Sequence, residues 1–272
     1  MTYREFYNQL KTELSFRENT ANECRWLLEL AAGGKYINIE DKAVTEASIN
    51  FVQSAVSRLR DGVPFQYAVG VSDFYGLSFK VNENVLIPRP ETEILVETAI
   101  IWAKSKNRPI RALDICTGSG CIAITLAKYL AGVFVAGDIS ALALDVAQAN
   151  AELNGVEVDL RRGDLLAVAK EGESFDLITA NPPYLTADDM KNILPEVAKE
   201  PFLALYGGED GLDLCRRILA TVPHYLAPDG LFLMEIGEGQ GDAVLSLAAP
   251  IFREAVIVPD LSRKPRFLRG LL

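Results

Sequence analysis

The chain has 272 residues, 49% hydrophobic and 24% charged, enough apolar mass to fill a core and too much for a disordered chain. The length suits two domains, or one large α/β domain with an extension. Twenty-seven Lys and Arg against 37 Asp and Glu leave a net charge of −10, which opposes attraction to polyphosphate and argues against sequence-independent nucleic-acid binding.

Residues 1–6 carry acids and lack a continuous apolar run, so no signal peptide is read. No stretch approaches the ~20 apolar residues of a membrane span, and the chain is expected in the cytoplasm. Tyr3, Phe6, Tyr7, Leu10 and Leu14 recur at helical period and predict a first amphipathic helix. Thr20 and Glu23 have the spacing of a capping box opening a second helix through Leu27, Leu28 and Leu30, which Gly33-Gly34 ends. Ile49, Val52, Ala55, Val56 and Leu59 mark a third, closed at Asp61-Gly62. A small helical bundle over 1–68 is expected, without a catalytic constellation of its own; it is a packing appendage or a docking module. From Val69 to Leu86, Phe74, Leu77, Phe79, Val81 and Val85 alternate with polar residues or glycine, which predicts a β-hairpin linker over 69–88. Ile87-Pro88-Arg89-Pro90-Glu91 then interrupts regular structure and marks the domain junction. Arg89, Glu91 and Glu93 either order a site through ion pairs or are solvated charges at a helix start.

Over 89–272, strands and helices alternate. Strands are expected at 110–114, 133–137, 158–160, 175–180, 231–236, 255–258 and 267–271, and helices at 121–130, 141–153, 212–226 and 239–247. This order predicts an α/β fold with a mostly parallel sheet covered on both faces, its last two strands paired as an antiparallel hairpin. The single histidine, His224, argues against Ser-His-Asp catalysis and is read as a packing residue in an apolar helical stretch. Cys24, Cys116, Cys121 and Cys215 form no CxxC pair, which excludes a disulfide scaffold and a structural zinc site. The glycine-rich run at 207–211 reads as a flexible loop.

Two motifs carry chemistry. Asp114-Ile115-Cys116-Thr117-Gly118-Ser119-Gly120 joins the first strand of the second region to its first helix, and its glycines permit a tight turn with close backbone approach to a ligand. Gly118-x-Gly120-x-x-Ala123 satisfies the dinucleotide fingerprint, and Asp138 after the second strand suits a ribose-hydroxyl acceptor. The loop indicates an adenosine-containing cofactor and leaves open which one, a nicotinamide or flavin included. Asn181-Pro182-Pro183-Tyr184 follows the strand Phe175–Ala180 and would face the same crevice. Its prolines stiffen the turn and leave carbonyls without a local N–H partner. Asn181 adds an amide oxygen and Tyr184 a flat face, which together suit a planar –NH₂ group.

On these residues the sequence resembles a known family. Asp114-x-x-Thr117-Gly118-Ser119-Gly120, Asp138, Gly163-Asp164 and Asn181-Pro182-Pro183-Tyr184 resemble the class I S-adenosylmethionine methyltransferases acting on exocyclic or amide nitrogens. More narrowly, Gly62-Val63-Pro64-Phe65-Gln66-Tyr67, Val85-Leu86-Ile87-Pro88-Arg89-Pro90-Glu91-Thr92-Glu93 and the helical N-terminal region resemble the PrmC/HemK family, the peptide chain release factor N5-glutamine methyltransferases. The resemblance implies a Rossmann-like class I domain over 89–272, a mostly parallel seven-stranded sheet with helices on both faces, preceded by a substrate-docking helical domain and the hairpin linker. It implies S-adenosyl-L-methionine as cofactor, S-adenosyl-L-homocysteine as product, and no metal. The implied substrate is the glutamine of the Gly-Gly-Gln motif of release factors, with no direct nucleic-acid or membrane partner.

Carried over residue by residue, Cys116, Thr117, Gly118, Ser119 and Gly120 would hold the methionine and ribose part of the cofactor, and Asp138 the ribose hydroxyls. Asp164 and Leu165 would border the adenine. Asn181, Pro182, Pro183 and Tyr184 would bind the glutamine, with Asn181, Pro182 and Tyr184 catalytic and Asn181 also adjoining the cofactor. Two positions depart from the family pattern. Cys116 stands where the loop usually begins with glycine and fits if its φ is negative; Leu165, where an aromatic often follows the acid, offers an apolar wall without a stacking partner. Asn-Pro-Pro-Tyr is shared with DNA adenine and rRNA guanine methyltransferases, so a nucleic-acid amine methyltransferase is the alternative, opposed by the net charge and by Pro-Arg-Pro-Glu-Thr-Glu. A non-catalytic nucleotide-binding or docking protein is the third reading, opposed by the intact Asn181 and Tyr184.

Overall fold

The first apolar stripe folds as expected: Tyr3, Phe6 and Leu10 are buried on α1 (Tyr3–Glu13), and Leu14 is buried just beyond it. In the computed structural model, which describes all 272 residues, the chain separates into two compact units, Met1–Gly70 and Val71–Leu272. Thr2 caps α1 in a capping box: its hydroxyl accepts from Glu5 N at 3.3 Å while the Glu5 carboxylate accepts from Thr2 N at 2.8 Å. The box expected at Thr20 does not form. Thr20 is the first residue inside α2 (Thr20–Ala32), its hydroxyl donates to the Leu14 and Arg17 carbonyls, and Glu23 is taken by Arg17 at 2.7 Å. The helix ends at Gly33, with φ +64°. Then follow α3 (Glu46–Arg60), which buries Val52, Ala55, Val56 and Leu59, and the short α4 (Phe65–Val69).

The second unit begins with the hairpin, β1 (Val71–Phe74) and β2 (Leu77–Lys80). It is part of this unit's core. Phe74 and Phe79 meet edge to face at 6.0 Å and pack with Leu95, Val96 and Ala99 of α5 (Thr92–Ser105). The chain continues through β3 (Ile110–Ile115), α6 (Cys121–Tyr129), β4 (Gly132–Asp138), α7 (Ala141–Asn154), β5 (Asp159–Arg162) and β6 (Phe175–Ala180). After the short α8 (Ala187–Asn192) and α9 (Phe202–Leu205) come α10 (Asp213–Thr221), β7 (Leu226–Glu235), α11 (Gly241–Ala248), β8 (Glu254–Pro259) and β9 (Pro265–Leu271). The helix expected to run to Leu226 stops at Thr221, because Pro223 lacks the donor to continue it and a 3₁₀ turn, Val222–His224, leads into β7. His224 is exposed on that turn, which corrects its reading as a packing residue.

The seven-stranded sheet has the order β5-β4-β3-β6-β7-β9-β8, parallel from β5 to β7, with β9 antiparallel to both neighbours. Successive strand residues alternate between two cores. Leu113, Ile115, Ile178, Phe232 and Met234 face α10 and α11, whereas Ala112, Leu177, Leu231 and Leu233 face α5, α6 and the hairpin. Asn150 of α7, fully buried, ties three segments: its Oδ1 accepts from Lys80 N at 2.6 Å, and its Nδ2 donates to the carbonyls of Lys80 and Ser119 at 3.0 and 2.9 Å. No helix is long and apolar enough to cross a membrane.

Two stability predictions follow from this packing. Phe79 is fully buried, so Phe79→Ala should cost about 3–5 kcal/mol in urea unfolding, against a fraction of that for a peripheral linker. Asp114, 2% exposed at the end of β3, accepts from the hydroxyls of Thr117 at 2.6 Å and Thr179 at 2.7 Å. Burial outweighs these donors and pushes its carboxyl up to about 7. The native state therefore holds a proton that the unfolded chain has lost, and stability falls as pH rises from about 4 to about 7, by an amount on the order of 4 kcal/mol. Glu235, also raised by burial, acts in the same sense. The acids held low by arginine, Glu173, Asp176 and Asp210 among them, lose their contribution only at more acidic pH. The urea midpoint should thus be higher near pH 5 than near pH 8, with a smaller difference in Asp114→Asn. Equal differences in the two proteins would place the pH dependence elsewhere.

Candidate active site

In a parallel sheet whose strand order reverses, ligands sit beyond the carboxyl ends of the strands flanking the reversal. Here those strands are β3 and β6, and their register sets Ile115 against Ala180. The glycine turn after β3 and Asn181 after β6 are thereby neighbours. A cavity of about 760 Å³ opens there, within the ~300–1,000 Å³ typical of small-molecule sites. Cys116, Thr117, Gly118, Ser119, Asp138, Asp164, Leu165, Asn181 and Pro183 all line it. Gly120, Pro182 and Tyr184 do not; Tyr184 instead lines an adjoining cavity of about 120 Å³ that shares Leu86, Arg89, Asn181 and Ala204 with the larger one.

The turn is held from both ends. Thr117 N donates to the Gly137 carbonyl at 3.0 Å and Gly118 N to Asp138 Oδ2 at 2.9 Å, while Asp138 Oδ1 accepts from Ser140 N at 2.9 Å. Each Asp138 oxygen therefore carries one backbone N–H and keeps a lone pair. Gly118 has φ +54° with open space where a Cβ would stand. Gly120 caps α6 at φ +79°, and a Cβ there would lie 2.7 Å from Ile124 and 3.1 Å from Ala147, so glycine lets α6 and α7 close together. Cys116 departs from expectation: its φ is +57°, so a side chain other than glycine's is carried in the left-handed region, a strain of roughly 1–2 kcal/mol. Leu165 has φ +52° and is likewise left-handed. The surrounding protein pushes the Cys121 thiol up to about 12 and raises Cys116 as well, so both are neutral wall groups rather than nucleophiles. Asp164 pairs with Arg217 at 2.5 Å, both side chains half exposed at the cavity wall.

Around Asn181 the structure adds residues that sequence reasoning did not single out. Asn181 Nδ2 donates to Thr92 Oγ1 at 3.4 Å, Thr92 Oγ1 donates to Glu235 Oε2 at 2.6 Å, and the Tyr184 hydroxyl donates to Glu235 Oε1 at 3.4 Å. Glu235 is 2% exposed; burial raises its carboxyl above the ordinary range, against the Thr92 hydroxyl, the Arg266 guanidinium on β9 and the Tyr184 hydroxyl. Burial likewise raises the Tyr184 phenol. Of the three charges read ahead of α5, Arg89 pairs with the buried Glu200, whose other oxygen accepts from Ile87 N at 3.1 Å. Glu93 accepts from Tyr75 N at 2.8 Å, and Glu91 is exposed.

The 207–211 run is packed rather than free. Gly207 N donates to the Leu185 carbonyl at 2.9 Å, and Gln240 Nε2 donates to the Tyr184 and Gly211 carbonyls at 3.0 and 3.1 Å. A Cβ on Gly207 would fall 2.6 Å from the Pro183 carbonyl oxygen. The glycines are there to let this loop back the Asn-Pro-Pro-Tyr turn, a close approach that composition alone reads as flexibility.

Comparison with known proteins places this geometry. A methyltransferase-domain family model matches residues 112–199, from β3 past the Asn-Pro-Pro-Tyr turn. A release factor glutamine methyltransferase of Geobacter sulfurreducens is 41% identical over 85% of this chain and 81% of its own. One of Bacillus cereus is 37% identical over 96% of this chain and 97% of its own. In fold, the chain is similar to a Thermus thermophilus 16S rRNA methyltransferase solved in complex with AdoMet and guanosine, with TM-score 0.55, 16% identity, and coverage of 74% of this chain and 49% of that one. The second unit is a class I methyltransferase fold, and the chain belongs to the release factor glutamine methyltransferase family.

Proposed function

We propose that this protein uses S-adenosyl-L-methionine to methylate N5 of the glutamine in the Gly-Gly-Gln motif of peptide chain release factors, leaving S-adenosyl-L-homocysteine, and that it does so in the cytoplasm. The observation that carries the reading is the position of Asn181, on the wall common to the larger cavity and the smaller one beside it. The larger cavity fits the cofactor: Asp138 keeps lone pairs for ribose hydroxyls, and the open face of Gly118 admits close approach. Cys116, Thr117, Gly118, Ser119 and Gly120 would follow its methionine and ribose, and Asp164 and Leu165 its adenine. When bound it supplies a methyl group activated on a sulfonium. Residues 1–68, where Phe16, Trp26 and Ile37 are exposed, are read as the substrate-docking part, and 89–272 as the methyltransferase domain, whose core the hairpin within 69–88 joins.

The chain's own task is to make a carboxamide nitrogen reactive. That nitrogen is a poor nucleophile because its lone pair is delocalised into the carbonyl. The Asn181 oxygen and the Pro182 carbonyl accept its two N–H bonds, and these bonds strengthen as the nitrogen acquires positive charge, so they stabilise the transition state more than the ground state. Pro183 and the glycine loop behind it hold the turn in place. Tyr184, anchored on Glu235, bounds the glutamine side of the site. A methylated amide cation loses its proton to water readily, so no general base is required.

Transfer of labelled methyl to purified release factor, with total RNA and DNA in parallel, tests the proposal; label confined to nucleic acid would overturn it. Asn181→Ala should retain most of the S-adenosylhomocysteine affinity in calorimetry while lowering kcat by about 10²–10³, or about 2.7–4 kcal/mol. A kcat within about threefold of wild type would remove Asn181 from the mechanism.

A further inference from the structure

Glutamine and glutamate side chains have nearly the same size and shape. A site separates them by charge and by the direction of its hydrogen bonds, and acceptors use both: they welcome an –NH₂ and repel a carboxylate. An asparagine is ambiguous in this respect, since half a turn of its amide exchanges acceptor for donor at almost no steric cost. Something must therefore set which end of Asn181 faces the cavity.

The polar chain behind Asn181 does this. In its ionised form Glu235 only accepts, so the single proton of the Thr92 hydroxyl, 2.6 Å away, is committed to it. Thr92 Oγ1 then has only lone pairs to offer and takes the –NH₂ end of Asn181, at 3.4 Å. The second Glu235 oxygen is occupied by the Tyr184 hydroxyl. Thr92 and Glu235 are both 2% exposed, which shields this order from competing water. They lie on α5 and β7, outside the Asn-Pro-Pro-Tyr turn.

We propose that Glu235, acting through Thr92, fixes the polarity of the Asn181 amide, so that the site presents oxygen to the substrate and accepts a carboxamide in preference to a carboxylate. The inference rests on the glutamine-methylation reading above and assigns Thr92 and Glu235 as positioning residues. Thr92→Val keeps the shape and removes the hydroxyl, Thr92→Ser keeps the hydroxyl, and Glu235→Gln keeps the shape and ends the acceptor-only character of the carboxylate.

The full-length protein, saturated with S-adenosylhomocysteine, is titrated with release factor and with a form carrying glutamate at the target position, and kcat is measured separately. Thr92→Val should lower kcat by about 10–100-fold and shrink the binding preference for the glutamine form by about fivefold or more, because the freed amide can offer –NH₂ to the carboxylate. Thr92→Ser should recover most of both; because Thr92 also lines the larger cavity, the preference is compared at saturating S-adenosylhomocysteine, where a change in cofactor affinity does not enter it. Glu235→Gln should lose preference in the same direction, and it carries the test if Thr92→Val fails to fold. Unchanged preference in a folded Thr92→Val or Glu235→Gln protein, or equal damage from Thr92→Ser, overturns the proposal and leaves Thr92 a packing residue. Wild-type protein that transfers no methyl to release factor would instead strike the functional reading itself.

Discussion

The parallel register of β3 and β6, with Ile115 opposite Ala180, is the constraint from which the site follows. Each strand delivers a turn at its carboxyl end, and the register makes the two turns adjacent. A slip of one residue would send every side chain of β6 to the wrong core and carry Asn181 away from the glycine turn. Asp114 spans the same junction from below, held by hydroxyls on β6 and on the turn itself. β4 completes the arrangement, since its pairing with β3 sets Gly137 beside Ile115 and leaves Asp138 to grip Gly118.

In the proposed function, the chemistry around this junction rests on positioning rather than proton transfer. The acids nearest the centre, Asp114 and Glu235, are buried and raised; the cysteines are neutral; the single histidine is exposed on a distant turn. What the protein supplies is fixed hydrogen-bond direction, backed by rigid backbone at Pro182 and Pro183 and by the glycine loop wedged behind them. Such preorganisation matches a reaction whose charge develops on a nitrogen that sheds its own proton.

Much of this was legible in the residues. The period of Tyr3, Phe6, Leu10 and Leu14, the strand–turn–helix around Gly118 and Gly120, and the antiparallel last strands are local or short-range patterns, and the fold repeats them. What escaped depends on distant partners. Thr20 and Glu23 have capping-box spacing, but Arg17 competes for Glu23. Cys116 was expected to need negative φ, yet the tightness of the turn between β3 and α6 carries it to +57°. Thr92 and Glu235 are 143 positions apart, and only the packing of α5 against β7 joins them. The 207–211 glycines look mobile in composition because a close backbone approach and a floppy loop call for the same residue.

The triple hydrogen bonding of Asn150 carries a consequence for dynamics. One buried amide serves the hairpin through Lys80 and the glycine turn after β3 through Ser119, so neither can open locally without disturbing the other's donor or acceptor. A ligand that clamps the turn in its native form therefore also suppresses opening of a hairpin it never touches, and slows amide exchange there by up to the factor 1 + [L]/Kd set by its concentration and affinity. The hairpin is by this route a reporter of occupancy, read through solvent exchange rather than through any movement of the chain.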